Sequence, residues 1–118
     1  MKKKVLVVDD NEGILDVVKM ALNMAGYDVC TSLNGRCFQQ MHNGWPDLIL
    51  LDVLLSGENG DELCQRLKGA EQTKNIPVIL ISAHGDLRKT AERCGADDIL
   101  VKPFRLTELR EIVKNHLH

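Results

Sequence analysis

Residues 46–52 read Pro-Asp-Leu-Ile-Leu-Leu-Asp. Four consecutive large aliphatics between two aspartates leave no polar face. A run that short, bounded by turn formers, predicts a strand covered on both sides. Working outward, the same signature recurs. Short runs rich in Val, Ile and Leu lie at Lys4–Val8, Asp28–Ser32, Leu48–Leu51, Val78–Ile81 and Asp98–Val101. The segments between them have helical spacing. Ile14, Val18, Ala21, Leu22 and Ala25 share one face, as do Leu63, Cys64 and Leu67, then Leu87, Ala91 and Cys94. Leu106, Leu109, Val113 and Leu117 form the last stripe. Gly35–His42 carries the weakest helical pattern. Asn11 is placed to cap the first helix, and Gly26 and Gly95 to end two of them. Pro46, Pro77 and Pro103 all fall outside helix interiors.

The order is strand then helix, five times over. Such alternation implies a parallel sheet with helices on both faces and right-handed crossovers. The fold class expected is α/β, a flavodoxin-like (βα)5 three-layer sandwich with strand order 2-1-3-4-5. No repeat, linker or low-complexity tract divides the 118 residues, so residues 1–118 read as one domain. A core of this size buries roughly two thirds of the unfolded chain's surface, so no disulfide or metal staple is required.

Composition removes several function classes. Lys plus Arg is 15 and Asp plus Glu is 17, a net charge of −2. That balance argues against direct nucleic-acid binding through bulk positive charge. Aromatics make up only 3%, too few for a base-stacking platform. No apolar run approaches the roughly 20 residues that span a bilayer, and the stretch after Met1-Lys2-Lys3-Lys4 stops at Asp9, too short for a signal peptide. No membrane insertion is expected. Cys30, Cys37, Cys64 and Cys94 lack Cys-x-x-Cys spacing and read as reduced thiols of a cytoplasmic protein.

In a parallel sheet of this type ligands bind beyond the carboxyl ends of the strands. Strand one runs into Asp9-Asp10, strand three into Asp52, strand four into Ser82 and strand five into Lys102-Pro103. Each Asp alone is an ordinary turn former. Gathered at one edge, they are not. Two carboxylates about 5 Å apart repel by about 3 kcal/mol at an effective dielectric near 20. Such a cluster raises a pKa or recruits a cation. Oxygen ligands without His or Cys suit Mg²⁺, with Mn²⁺ as the other candidate. Lys102 then supplies a point charge for a phosphoryl oxygen and Ser82 a hydrogen bond. The chemistry assembled is phosphoryl transfer to a carboxylate.

The chain resembles the receiver domain of two-component response regulators over essentially all of Lys3–Leu117. The matching stretches are Val5-Leu6-Val7-Val8-Asp9-Asp10-Asn11, Pro46 to Asp52, Gly60, Pro77-Val78-Ile79-Leu80-Ile81-Ser82-Ala83, and Gly95-Ala96-Asp97-Asp98-Ile99-Leu100-Val101-Lys102-Pro103-Phe104. The resemblance implies that Asp52 is the phosphoacceptor. It implies Mg²⁺ held by Asp10, by Asp9 through water, by Asp52 and by the backbone carbonyl of Leu54. Ser82 matches the hydroxyl that turns toward the phosphoryl group, Lys102 the lysine of the motif, and Lys102–Pro103 the family's cis bond. The implied partners are a sensor histidine kinase or phosphotransfer protein and a downstream protein of unknown kind. The receiver phosphorylates and slowly dephosphorylates itself without being a turnover enzyme. The output surface falls at about Asp86–Leu117, where Arg88, Lys89, Arg93, Arg105 and Arg110 lie. No output domain is expected within residues 1–118, and with Met1 directly before strand one the expectation is a stand-alone protein rather than a piece of a hybrid kinase.

Four positions depart from the family pattern or tune it. Ile99 stands where Tyr or Phe is usual, leaving aliphatic repacking in place of an aromatic switch. Ser56 replaces a loop Pro. Apolar Leu54 cannot orient a hydrolytic water, and His84 can orient or exclude one, so the pair is expected to set the phosphoryl lifetime. Rival readings are separable. An aspartyl phosphohydrolase wants a second Asp where Leu54 sits. A pseudo-receiver would not need Asp9, Asp10, Asp52, Ser82 and Lys102 together. A flavin protein wants a Ser/Thr/Gly-rich loop after strand one, which is absent here.

Overall fold

The computed structural model describes residues 2–39, 41, 44–55, 57–83 and 86–117. The expectations for Ser56 and His84 lie outside the described residues. Five parallel strands form the central sheet: β1 (Lys4–Val8), β2 (Asp28–Ser32), β3 (Leu48–Asp52), β6 (Val78–Ser82) and β7 (Asp98–Val101). Their order is β2-β1-β3-β6-β7, which is 2-1-3-4-5 when the five are counted alone. The numbering skips because Leu54–Leu55 (β4) and Glu58–Asn59 (β5) make a separate antiparallel ribbon that the periodicity did not reveal. The helices are α1 (Glu12–Met24), α2 (Gly60–Gly69), α3 (Leu87–Cys94) and α4 (Leu106–His116).

The pleat sorts each strand's side chains onto two faces. Val5, Val7, Leu48, Leu50, Ile79, Ile81 and Leu100 pack with Leu15, Val18 and Leu22 of α1 and Leu109 and Val113 of α4. Leu6, Val8, Ile49, Leu51, Val78 and Leu80 point the other way, onto Leu63, Cys64 and Leu67 of α2 and Leu87, Ala91 and Cys94 of α3. β3 and β6 are buried at every position, which is why their sequences are continuous rather than alternating. Edge strand β2 buries only Val29.

The caps follow the sequence. Asn11 Oδ1 accepts from the Ile14 N–H at 3.1 Å. Gly26 and Gly95 follow α1 and α3 at φ +97° and +82°, a region that costs glycine little. The Lys102–Pro103 bond is cis. One part of the (βα)5 pattern is corrected. After β2 the chain forms a 3₁₀ segment at Gly35–Gln39, not an α-helix. Cys37 and Phe38 of this segment, and Met41 beyond it, pack against the α2–α3 core, and no further apolar residue continues the stripe before Gly44. Such a short patch suits tight 3₁₀ turns. Leu106, assigned to the last apolar stripe, opens α4 with 40% of its surface exposed rather than buried in the core. The four cysteines are free, and burial pushes the Cys64 thiol's pKa up, helped by its contact with Cys94. It behaves as a small hydrophobe.

Candidate phosphoryl and metal site

The carboxyl ends of the strands converge as the topology requires. Asp9 follows β1 and is wholly buried. Its Oδ1 accepts from the Asn11 N–H at 2.9 Å, just before α1 begins. Asp52 is the last residue of β3, one position further into the strand than its sequence pattern suggests, and is 4% exposed. Ser82 ends β6 in the same way. Lys102 directly follows β7, and its N–H donates to the Ser82 carbonyl at 2.9 Å. Asp9, Asp52, Ser82 and Lys102, at the ends of four strands, thus meet at one sheet edge.

Lys102 binds the acids together. Its Nζ lies 3.0 Å from Asp9 Oδ2 and 3.2 Å from Asp52 Oδ2. Asp52 Oδ1 accepts from the Leu54 N–H at 3.1 Å. Asp9, Asp10 and Asp52 each offer one carboxylate oxygen, all within 4.8 Å of one another. Asp10 is the exposed member, facing the solvent side of the cluster. Leu54 stands on β4 with an exposed side chain. Ile99 is half-buried against the α2–α3 core.

The electrostatics follow the geometry. Burial raises the Asp52 pKa most; the Leu54 N–H lowers it, Asp9 raises it, and Lys102 lowers it, for a net rise. Burial alone would pull Lys102 down, but its hydrogen bonds and attraction to Asp9 and Asp52 outweigh that and raise it. Lys102 is therefore held firmly cationic between two acids. The donor set also passes a chemical test for a hard divalent cation. Three carboxylates converge, with one exposed member leaving room for water, as Mg²⁺ requires.

Two features of the site escaped the sequence. One is the backbone hold on Asp52 from Leu54, which is made through an N–H and so leaves no trace in residue identity. The other is a clamp at the far edge of the sheet. Lys68 Nζ pairs with Asp97 Oδ2 at 2.5 Å and donates to the Ile76 carbonyl at 2.7 Å. Asp97 Oδ2 in turn accepts from the Val78 N–H at 2.8 Å. This clamp aligns the starts of β6 and β7, whose far ends carry Ser82 and Lys102.

Comparison with known proteins agrees. The response regulator receiver domain family matches residues 5–114. The phosphate regulon transcriptional regulatory protein PhoB of Pseudomonas aeruginosa is 42% identical over 91% of this chain and 48% of its own. The chain spans about half the length of the curated relatives it matches. The crystal structure of the chemotaxis protein CheY4 of Vibrio cholerae superposes with a TM-score of 0.91 at 28% identity, covering 99% of this chain and all of that one. The receiver domain of sensor histidine kinase PA1611 of Pseudomonas aeruginosa superposes at 0.86 and 27% identity, over 98% and 97% of the two chains. That structure has a magnesium ion coordinated in its active-site cleft.

Proposed function

The chain belongs to the response regulator receiver family, and from that premise we propose that it is a phosphorelay receiver that takes a phosphoryl group onto Asp52. Receivers are signalling domains that bind Mg²⁺ at an acidic pocket. Here Asp9, Asp10, Asp52 and the Leu54 carbonyl would hold the ion, whose charge offsets that of the phosphoryl oxygens. Mn²⁺ suits the same ligands. The observation that carries the reading is Lys102 Nζ bridging Asp9 and Asp52 beside a third carboxylate. A lysine so placed can follow a phosphoryl oxygen without leaving the site.

The Asp52 oxygen forms the new O–P bond as the donor's P–N or P–O bond breaks. The Leu54 N–H keeps the other carboxylate oxygen turned away from phosphorus. Lys102 meets the incoming charge, roughly −1.5 to −2 if it resembles other phosphoresidues. The Ser82 hydroxyl donates to a phosphoryl oxygen. Because Ser82 is bonded through its carbonyl to Lys102 and pairs with Val101 in register, its movement is passed to β7. The α3–β7–α4 face, with Arg88, Lys89, Arg93, Arg105 and Arg110, is then the surface whose equilibrium shifts.

The donor's docking face lies beside the site. Val17, Met20 and Met24 are 51%, 65% and 80% exposed along one side of α1. They continue a groove of about 490 Å³ lined by Ile14, Pro103, Phe104 and Leu106 and reaching Asn11 and Lys102. An apolar face ending at Lys102, which contacts Asp52, fits a helix of a histidine kinase or phosphotransfer protein. We read residues 1–118 as a single receiver unit acting in the cytoplasm on a downstream protein. Among the described residues no helix is long and apolar enough to cross a membrane.

Intact mass after incubation with acetyl phosphate tests the reading. The expected result is a gain of one phosphoryl group that needs Mg²⁺ and is lost in Asp52→Asn. Uptake that persists in Asp52→Asn, or none in the wild type, overturns it. Steady release of inorganic phosphate from a small phosphate ester would favour the phosphohydrolase instead.

A further inference from the structure

We propose that the β4–β5 ribbon is a backbone clamp on the acceptor carboxylate and that Gly60 is its latch, a positioning residue for the transfer. The inference rests on the reading of Asp52 as phosphoacceptor. Asp52 has two holds of different stiffness. Lys102 reaches Oδ2 on a long flexible stem, whereas the Leu54 N–H meets Oδ1 from the main chain. The direction in which Oδ1 points therefore depends on where residues 53 and 54 lie.

The ribbon fixes that place by rungs on both sides. The Val53 N–H donates to the Ile81 carbonyl at 3.0 Å, tying it to β6. Leu54 pairs with Asn59 and Leu55 with Glu58. The Gly60 N–H closes the base of the loop onto the Val53 carbonyl at 2.7 Å. Gly60 is buried, and its missing side chain is what lets the strands approach. A Cβ there would overlap the Asp52 carbonyl oxygen and lie 2.8 Å from Val53 Cα and 2.9 Å from the Asp52 carbonyl carbon. Backbone has no rotamer to escape with, so the 52–53 peptide must shift and carry the Leu54 N–H with it.

Glycine is needed here for space and not for conformation. Among the described residues the positive-φ glycines are Gly26, Gly44, Gly57 and Gly95, and Gly60 is not one of them. Gly60→Ala therefore adds a methyl group without forcing a left-handed residue. Gly69, at the other end of the same helix, has nothing within 4 Å of a built Cβ and supplies the matched control.

The experiment compares wild type, Gly60→Ala and Gly69→Ala with acetyl phosphate at saturating Mg²⁺, per folded molecule. Wild type that gains no Mg²⁺-dependent phosphoryl group sinks the acceptor reading itself. Where wild type is labelled, the clamp predicts a rate constant at least about tenfold lower for Gly60→Ala, because an ångström of misplacement suffices. The half-saturating acetyl phosphate concentration should stay put, and Gly69→Ala should match wild type. A Gly60→Ala protein that loses thermal stability but labels within twofold of wild type shows a purely structural glycine and overturns the proposal. Should Gly60→Ala not fold, amide hydrogen exchange decides. In wild type the Leu54 and Gly60 amides should exchange at least about 100-fold more slowly than that of Gly57. In Asp52→Ala only the Leu54 amide should lose protection. An unprotected Gly60 amide, or a Leu54 amide indifferent to Asp52→Ala, overturns the clamp.

Discussion

Asp52 illustrates how a functional residue works against stability. Burial and the neighbouring Asp9 raise its pKa, so the folded state binds its proton more tightly than the unfolded chain does. The linkage sign is then fixed. Below the ordinary carboxylate pKa, about 4, the group is neutral in both states and costs nothing. As pH rises through the folded pKa the ionised form is penalised in the fold, and stability falls. Asp52→Asn should therefore be more stable than wild type at pH 7 in chelator, with Asp9 still pairing Lys102. Urea denaturation at pH 4 and pH 7 checks this, and a gap that shrinks or reverses at pH 7 contradicts it. Lys102 has the opposite dependence. Its raised pKa means its contribution is complete through neutral pH and is lost only in alkali, above the ordinary lysine range. The side chains of this site were legible because their types and their places at strand ends are written in the sequence. The N–H of Leu54 and the empty side of Gly60 were not, because backbone geometry has no letter.

Among the elements, α1 has two faces with different tasks. Leu15, Val18 and Leu22 seal one side of the sheet, while Val17, Met20 and Met24 face outward. Met20→Glu leaves the core untouched and should change stability by less than about 0.5 kcal/mol. Transfer from a phosphorylated histidine kinase domain should slow by roughly tenfold, the cost of about 1.4 kcal/mol at an apolar contact. Labelling by acetyl phosphate, which needs no docking, should be unchanged. Equal slowing with both donors would place the defect in the chemistry and not in docking. The five strands of the main sheet were readable as short apolar runs bounded by turn formers, and the four helices from the period of their apolar positions. Elements of two residues, such as β4 and β5, fall below any period, and the 3₁₀ segment offers only Cys37 and Phe38 before its stripe ends. The Lys68–Asp97 pair was hidden for a further reason: 29 residues separate its members, and only the finished packing of α2 against the sheet brings them together.

At the scale of the whole molecule, β3 holds the fold together, buried on both faces between β1 and β6. Leu50 lies wholly inside the α1–α4 layer. Leu50→Ala should cost about 2–5 kcal/mol, a large part of what a domain of this size possesses, measurable by chemical denaturation. A loss below 1 kcal/mol would mean that the layer collapses around the gap. The same strand ends at Asp52, the proposed acceptor, and the variant that remains folded should still label with acetyl phosphate. The ion pair between Lys102 and Asp9 spans 93 positions of sequence, and that between Lys102 and Asp52 spans 50. No fragment made of the first two or three strands owns the full set of groups. Under the proposed function, labelling by a small phosphodonor would thus be a census of finished molecules: a nascent, truncated or half-melted chain would stay silent, and a signal passed through this protein would carry its own proof that the sender found it whole.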